Sequence, residues 1–231
     1  MTVITAKQFS VDEAGGYVTE LYDQDGQALL FPRTMIGGKL RGGSHVCFPY
    51  FGPDEAGIVP QHGFGRAVTW RGEASPDRRT VTCVYDEMQD ELFSGLHAEL
   101  EYRLNEAGSE FTTTLTVTNH SDQPRALTPG FHPYFAIDPT DVMLSGVRIN
   151  VVDFEPFQSF PDTTQMTIET AARTVTVVSE NLTHMVVWTD SKGEYLCVEP
   201  TLRGNGFDSR GEISDGIAPG QTMIYQFSIL W

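Results

Sequence analysis

Runs of alternating or compact β-branched residues recur along this chain, and they leave little room for anything except sheets. Thr80–Tyr85, His97–Leu104, Phe111–Asn119, Thr174–Val178 and Thr222–Leu230 read as strands. So do Thr2–Phe9, Tyr17–Tyr22, Ala67–Gly72, Val142–Val152, Met185–Thr189 and Tyr195–Val198. Turn clusters separate them, among them Asp23-Gln-Asp-Gly26, Asn119-His-Ser-Asp122 and Pro219-Gly220. Sustained 3.6-residue periodicity is missing nearly everywhere, and only Asp86–Leu96 reads as a short helix. The pattern predicts an all-β chain in which two large sheets pack face to face. At 231 residues, 40% hydrophobic and 11% aromatic, the chain can fill the core of such a unit. No linker or internal repeat divides it, so residues 1–231 are expected to form a single domain.

Charge narrows the partners. A formal net charge of −16, from 31 acidic against 15 basic residues, argues against nucleic acid or an anionic membrane. Any anionic ligand must then be held by local cations. Twelve of the 15 basic residues are Arg, the side chain suited to bidentate recognition of carboxylate or phosphate. The N-terminus shows no basic start followed by an apolar run, and no later stretch approaches membrane-spanning length, so a soluble cytoplasmic protein is expected. Cys47, Cys83 and Cys197 are odd in number and far apart, which predicts buried free thiols in a reducing compartment.

Three segments carry the chemistry. The stretch from Arg41 to Arg66, RGGSHVCFPYFGPDEAGIVPQHGFGR, reads as part of a long irregular connection spanning Phe31–Gly65, where function tends to reside. In it, Gly43 and Gly63 are expected to let backbone approach a ligand. GFHPYF, Gly130 to Phe135, adds His132, which Pro133 biases towards extended backbone. LCVEP, Leu196 to Pro200, adds Glu199, expected at the strand end that Pro200 closes, where Tyr195 and Phe207 would desolvate it and raise its pKa. A histidine and a carboxylate are the minimum for general acid–base chemistry. Each residue also has a plainer reading: His132 as a satisfied core residue, Glu199 as solvated, His62 as a loop residue bonded to backbone, Arg41 and Arg66 as partners of carboxylates.

Together these motifs resemble the aldose 1-epimerase (galactose mutarotase-like) superfamily, nearest its hexose-6-phosphate mutarotase branch. The resemblance implies a β-supersandwich of two large, mostly antiparallel sheets. It implies an isomerase that interconverts the α and β anomers of an aldose, with a small sugar or sugar phosphate as partner and no cofactor or metal. In Phe131-His132-Pro133-Tyr134-Phe135 the histidine would protonate the ring oxygen, and in Cys197-Val198-Glu199-Pro200 the glutamate would take the anomeric proton. His62, in His62-Gly63-Phe64-Gly65-Arg66, would bind substrate, and Arg41 and Arg66 would hold a phosphate. This chain departs from the pattern at Ser44-His45, where Ile-Pro is usual, at Tyr50 in place of Trp, and in the residues after Pro200. Two rivals remain open: a sugar-binding or regulatory module without turnover, and a metal-dependent enzyme using His45, His62, His132 and Glu199, although the chain lacks a His-x-His pair.

Overall fold

A computed structural model describes residues 2–52, 59–86, 93–137, 142–149, 157–203 and 216–231. One sheet runs, edge to edge, through Val3–Thr5 (β1), Phe9–Asp12 (β2), Tyr17–Leu21 (β3), Ser44–Cys47 (β6), Gly130–Ala136 (β11), Tyr195–Thr201 (β18), His184–Trp188 (β17) and Gln158–Phe160 (β14). The other begins Val147–Ile149 (β13), Val142–Leu144 (β12), Gln165–Thr170 (β15), Thr174–Glu180 (β16) and Thr222–Leu230 (β19). It continues through Glu110–Asn119 (β10), Leu96–Leu104 (β9), Thr80–Tyr85 (β8) and Arg71–Ala74 (β7). Thr34–Ile36 (β4) and Lys39–Arg41 (β5) form a separate hairpin. Neighbouring strands pair antiparallel, as in the central ladders of both sheets.

The two sheets bury their facing surfaces in each other. Phe131 of β11 packs on Phe227 of β19 at 4.8 Å between ring centroids, and Phe9 of β2 on Phe111 of β10 at 4.9 Å. Each fully buried Phe contributes about 1.5–3 kcal/mol of transfer free energy. In the second sheet β8 and β9 alternate buried and wetter positions, the pattern that made them readable. In the first sheet β6 and β18 are buried at every position and β11 at all but its last, because their second face is covered as well. A strand buried on both faces has no alternation to read.

Several expected boundaries shift for local reasons. The connection Phe31–Gly65 is less irregular than expected, since it supplies β4, β5 and the central strand β6. Thr2–Phe9 breaks into β1 and the start of β2 at a turn in which the Ala6 N–H donates to the Phe9 carbonyl at 2.9 Å. Ala67–Gly72 gives way to a 3₁₀ turn at Gly65–Ala67, with β7 starting only at Arg71. Val142–Val152 folds back through Ser145 and Gly146, both at positive φ, into the β12–β13 hairpin. Residues 87–92 of the expected helix lie outside the described residues, and Leu96 already belongs to β9. Gly43 and Gly63 do not open space for a ligand. A Cβ on Gly63, at φ 66°, would sit 2.1 Å from the Phe48 carbonyl oxygen, and one on Gly43 would sit 2.4 Å from that of Val18, so both are needed for backbone to pass backbone.

Candidate active site

Three adjacent strands of the first sheet set their polar side chains in one row across its outer face. His45 on β6 is in register with His132 on β11, and the pairs Gly130↔Thr201 and Tyr134↔Cys197 bracket His132 opposite Glu199 on β18. His132 Nε2 lies 3.5 Å from Glu199 Oε1, and both side chains are almost fully buried. Glu199 is not at a strand end: β18 continues to Thr201, with Pro200 opposite Met185 of β17. Instead of closing the strand, the prolines thin the ladder. Pairing between β11 and β18 holds at Gly130 and again from Tyr134, and skips the three residues between, the interval that contains Pro133 and faces Pro200. Neither proline has an N–H to give. Tyr195 packs beside this row with Tyr134 and Cys197, whereas Phe207 lies outside the described residues.

Burial governs the charge of this pair. It pushes the Glu199 carboxyl well above its ordinary range. It also holds His132 well below the ordinary histidine value, and the nearby Arg66 and Arg41 cations act in the same direction. A 3.5 Å contact would suit an ion pair, but desolvation acts on both partners in the other direction. Burial therefore favours the neutral pair, a carboxylic acid beside an imidazole, over the ion pair.

His62 reaches the same place from a tight turn at φ 66°. Its backbone N–H donates to the Phe51 carbonyl at 3.0 Å, and its Nδ1 contacts the same oxygen at 3.0 Å. A carbonyl only accepts, so Nδ1 carries the proton and Nε2 is left as an acceptor. Burial and then Arg66 lower its pKa to about 3, against the pull of the Phe51 bond, so the ring stays neutral. It packs edge-on against His132 at 4.9 Å.

Above the row lies a cleft of about 360 Å³, lined by His62, His132 and Glu199, by Tyr134 and Trp188, and by three cations, Lys39, Arg41 and Arg66. The two-residue Gly37-Gly38 turn, both at positive φ, folds β4 onto β5, and Lys39 and Arg41 alternate onto one face of β5. The two arginines differ. Arg41 donates from Nε and Nη2 to Asp190 Oδ2 at 3.1 and 2.9 Å and lies over Trp188, and the Tyr195 hydroxyl donates to the other Asp190 oxygen. Arg66 is exposed and donates to the Gln61 carbonyl at 3.0 Å, with no carboxylate partner among the described residues. Lys39 and Trp188 were not singled out from sequence. For Lys39 the signal was available, since it stands two residues from Arg41 on a strand and must share its face.

The cysteines are free and buried, as their placement predicted. One of them joins a compact set of possible metal donors: His132, Cys197 and Glu199 offer atoms within 4.8 Å of one another. Burial raises the Cys197 thiol well above its usual pKa, which opposes the thiolate that a metal requires.

The Aldose 1-epimerase family profile matches residues 8–167, and the chain belongs to that family. The match includes Arg41, His62, Arg66 and His132 and stops short of Glu199. A Salmonella typhimurium protein with the provisional name glucose-6-phosphate 1-epimerase is 25% identical over 174 residues, which span 66% of this chain and 59% of that protein. The chain thus covers under two thirds of that relative's length. Among solved structures, a galactose mutarotase related enzyme from Lactobacillus acidophilus superposes with TM-score 0.80 at 15% identity, covering 99% of this chain and 96% of the other. A galactose mutarotase-like protein from Lactobacillus casei gives TM-score 0.81 at 13% identity, covering 100% and 99%. At such identities these two bear on the fold alone.

Proposed function

We propose that the protein is an aldose 1-epimerase acting on a hexose 6-phosphate, with Glu199 as base and His132 as acid. The observation that carries the reading is the buried His132–Glu199 pair, 3.5 Å apart, on the floor of a cleft rimmed by Lys39, Arg41 and Arg66. Ring opening uses the ion-pair tautomer. Glu199 accepts the proton of the anomeric hydroxyl, His132 donates to the ring oxygen, and the C1–O5 bond breaks to give the open-chain aldehyde. Rotation about C1–C2 presents the other carbonyl face, and closure returns both protons with the roles reversed. The open-chain stage leaves Glu199 protonated and His132 neutral, the state that burial already favours in the empty site. Since anomers interconvert slowly in water alone, a positioned acid and base contributing about 10²–10⁴-fold suffices.

His62, neutral and with Nε2 facing as an acceptor, takes a hydrogen bond from a sugar hydroxyl. Trp188 and Tyr134 supply an aromatic wall for the apolar face of the ring. The phosphate would meet Arg66 and Lys39 first, because Arg41 is already held by Asp190. The test is anomer exchange by NMR across free and 6-phosphorylated aldoses. Exchange faster on glucose 6-phosphate than on glucose supports the reading. Exchange on neither, with sugar binding retained, would favour the binding module instead.

A further inference from the structure

His45 occupies the position where the sequence departs from the mutarotase pattern, and the structure gives that departure a place. It is 2% exposed, and neither ring nitrogen has a hydrogen-bond partner. A buried imidazole with nothing to bond is costly and calls for a reason. Its contacts are all made through its ring. One face stacks on Tyr17 at 5.0 Å and 27°, and the other on His132 at 4.9 Å and 22°. His132 in turn stacks on Tyr134 at 4.7 Å and 13°. The four rings form one column across β3, β6 and β11, capped by the Arg33 guanidinium 4.0 Å over Tyr17 and anchored through Arg33 to Asp12 at 3.0 Å.

His132 thus has two near-parallel ring neighbours, His45 across the sheet and Tyr134 two residues on along its own strand. His62 and Trp188 meet it edge-on at 4.9 and 5.8 Å, and its Nε2 is aimed at Glu199. A ring packed in this way resists tipping. We propose that His45 is a positioning residue for His132: by stacking on it alongside Tyr134, it fixes the plane in which His132 presents Nε2 to Glu199 and to the sugar. The inference rests on the acid role given to His132 above. Burial, with Arg66 and Arg33 nearby, holds His45 well below the ordinary histidine value, so it packs against His132 as a neutral ring.

Two variants separate the flat ring from its nitrogens. His45→Phe keeps a flat ring on His132 and removes the nitrogens, whereas His45→Leu removes the flat ring too. In His45→Leu, kcat should fall tenfold or more with KM within about threefold, because a small misplacement of a proton donor costs up to about 10². In His45→Phe, kcat should stay within about threefold. The ¹H and ¹⁵N ring shifts of His132 should move in His45→Leu, which loses the stacked ring, and change less in His45→Phe. Wild-type kcat in His45→Leu, or a loss confined to KM, overturns the proposal. So does a tenfold or greater loss of kcat in His45→Phe, which decides the matter alone if His45→Leu does not fold. If the wild type exchanges no anomers, the mutarotase reading fails, while the ring shifts still test what His45 does to His132.

Discussion

Removing Arg66 should separate a sugar phosphate from a free sugar more cleanly than removing Arg41. Arg66 is exposed at the rim of the cleft and gives one hydrogen bond to a backbone carbonyl, so Arg66→Ala leaves no buried charge stranded. A charge-assisted contact contributes about 1.5–3 kcal/mol, and solvent at the rim favours the lower end. The expected loss is therefore about tenfold in kcat/KM for glucose 6-phosphate, with the rate on glucose changed less than twofold. Arg41→Ala should cost the phosphorylated substrate more, because it also leaves the Asp190 carboxylate unpaired and facing the incoming anion. Asp190→Asn should act in the opposite sense and lower KM for the phosphate by freeing the guanidinium. The assay is saturation-transfer NMR of anomer exchange on both sugars, with melting curves for each variant. Equal losses on the two sugars in Arg66→Ala, or a wild type that prefers free glucose, would show that these cations do not select a phosphate.

The pH–rate profile should be bell-shaped with limbs assigned in reverse: because the competent pair carries one proton, the acid limb reports a second proton going onto His132, below its ordinary range, and the alkaline limb the loss of the Glu199 proton, above its own. A profile narrower than the interval between ordinary Glu and His values would contradict that. Stability should peak near pH 6.5. Below it, His45, His62 and His132 bind fewer protons folded than unfolded, so each can cost about 1.4 kcal/mol per pH unit as pH falls; above about 4.5, Glu199 binds more protons folded and opposes folding as pH rises. Thermal melts of wild type and Glu199→Gln across pH check the sign, and the variant should gain relative to wild type as pH increases. Gly63→Ala should lower the melting temperature by several degrees, since its Cβ would meet the Phe48 carbonyl at 2.1 Å in a left-handed backbone, and an unchanged melt would refute that packing.

The long strands of the second sheet could be read residue by residue, whereas in the first sheet β3, β17 and β18 were read as strands and β6 and β11 were not. In β8, β9 and β10 one face is wetter than the other, so period-two alternation survives in the sequence. In β6, β11 and β18 both faces are buried, one by the opposite sheet and one by the site, which erases alternation where function resides. Pro200 misled for a related reason. Proline usually marks a strand's edge or end, and here it sits in a central strand, at the interval where the β11–β18 ladder lapses. The identities of His132, Glu199, His62 and both arginines were readable because short motifs carry them. Their arrangement was not, since register between strands far apart in sequence brings them together. Asp190, which holds Arg41, and the ring column through His45 depend wholly on that register.

Glu199→Gln tests the proposed chemistry most directly. Burial favours the protonated form of Glu199, so the amide matches its shape and charge and the fold should be undisturbed. Only the ability to accept a proton is lost. Anomer exchange on glucose 6-phosphate, followed by NMR at neutral pH, should fall by about 10²-fold or more while the melting temperature is unchanged or higher. A variant that keeps more than about a tenth of the wild-type rate would show that Glu199 is not the base.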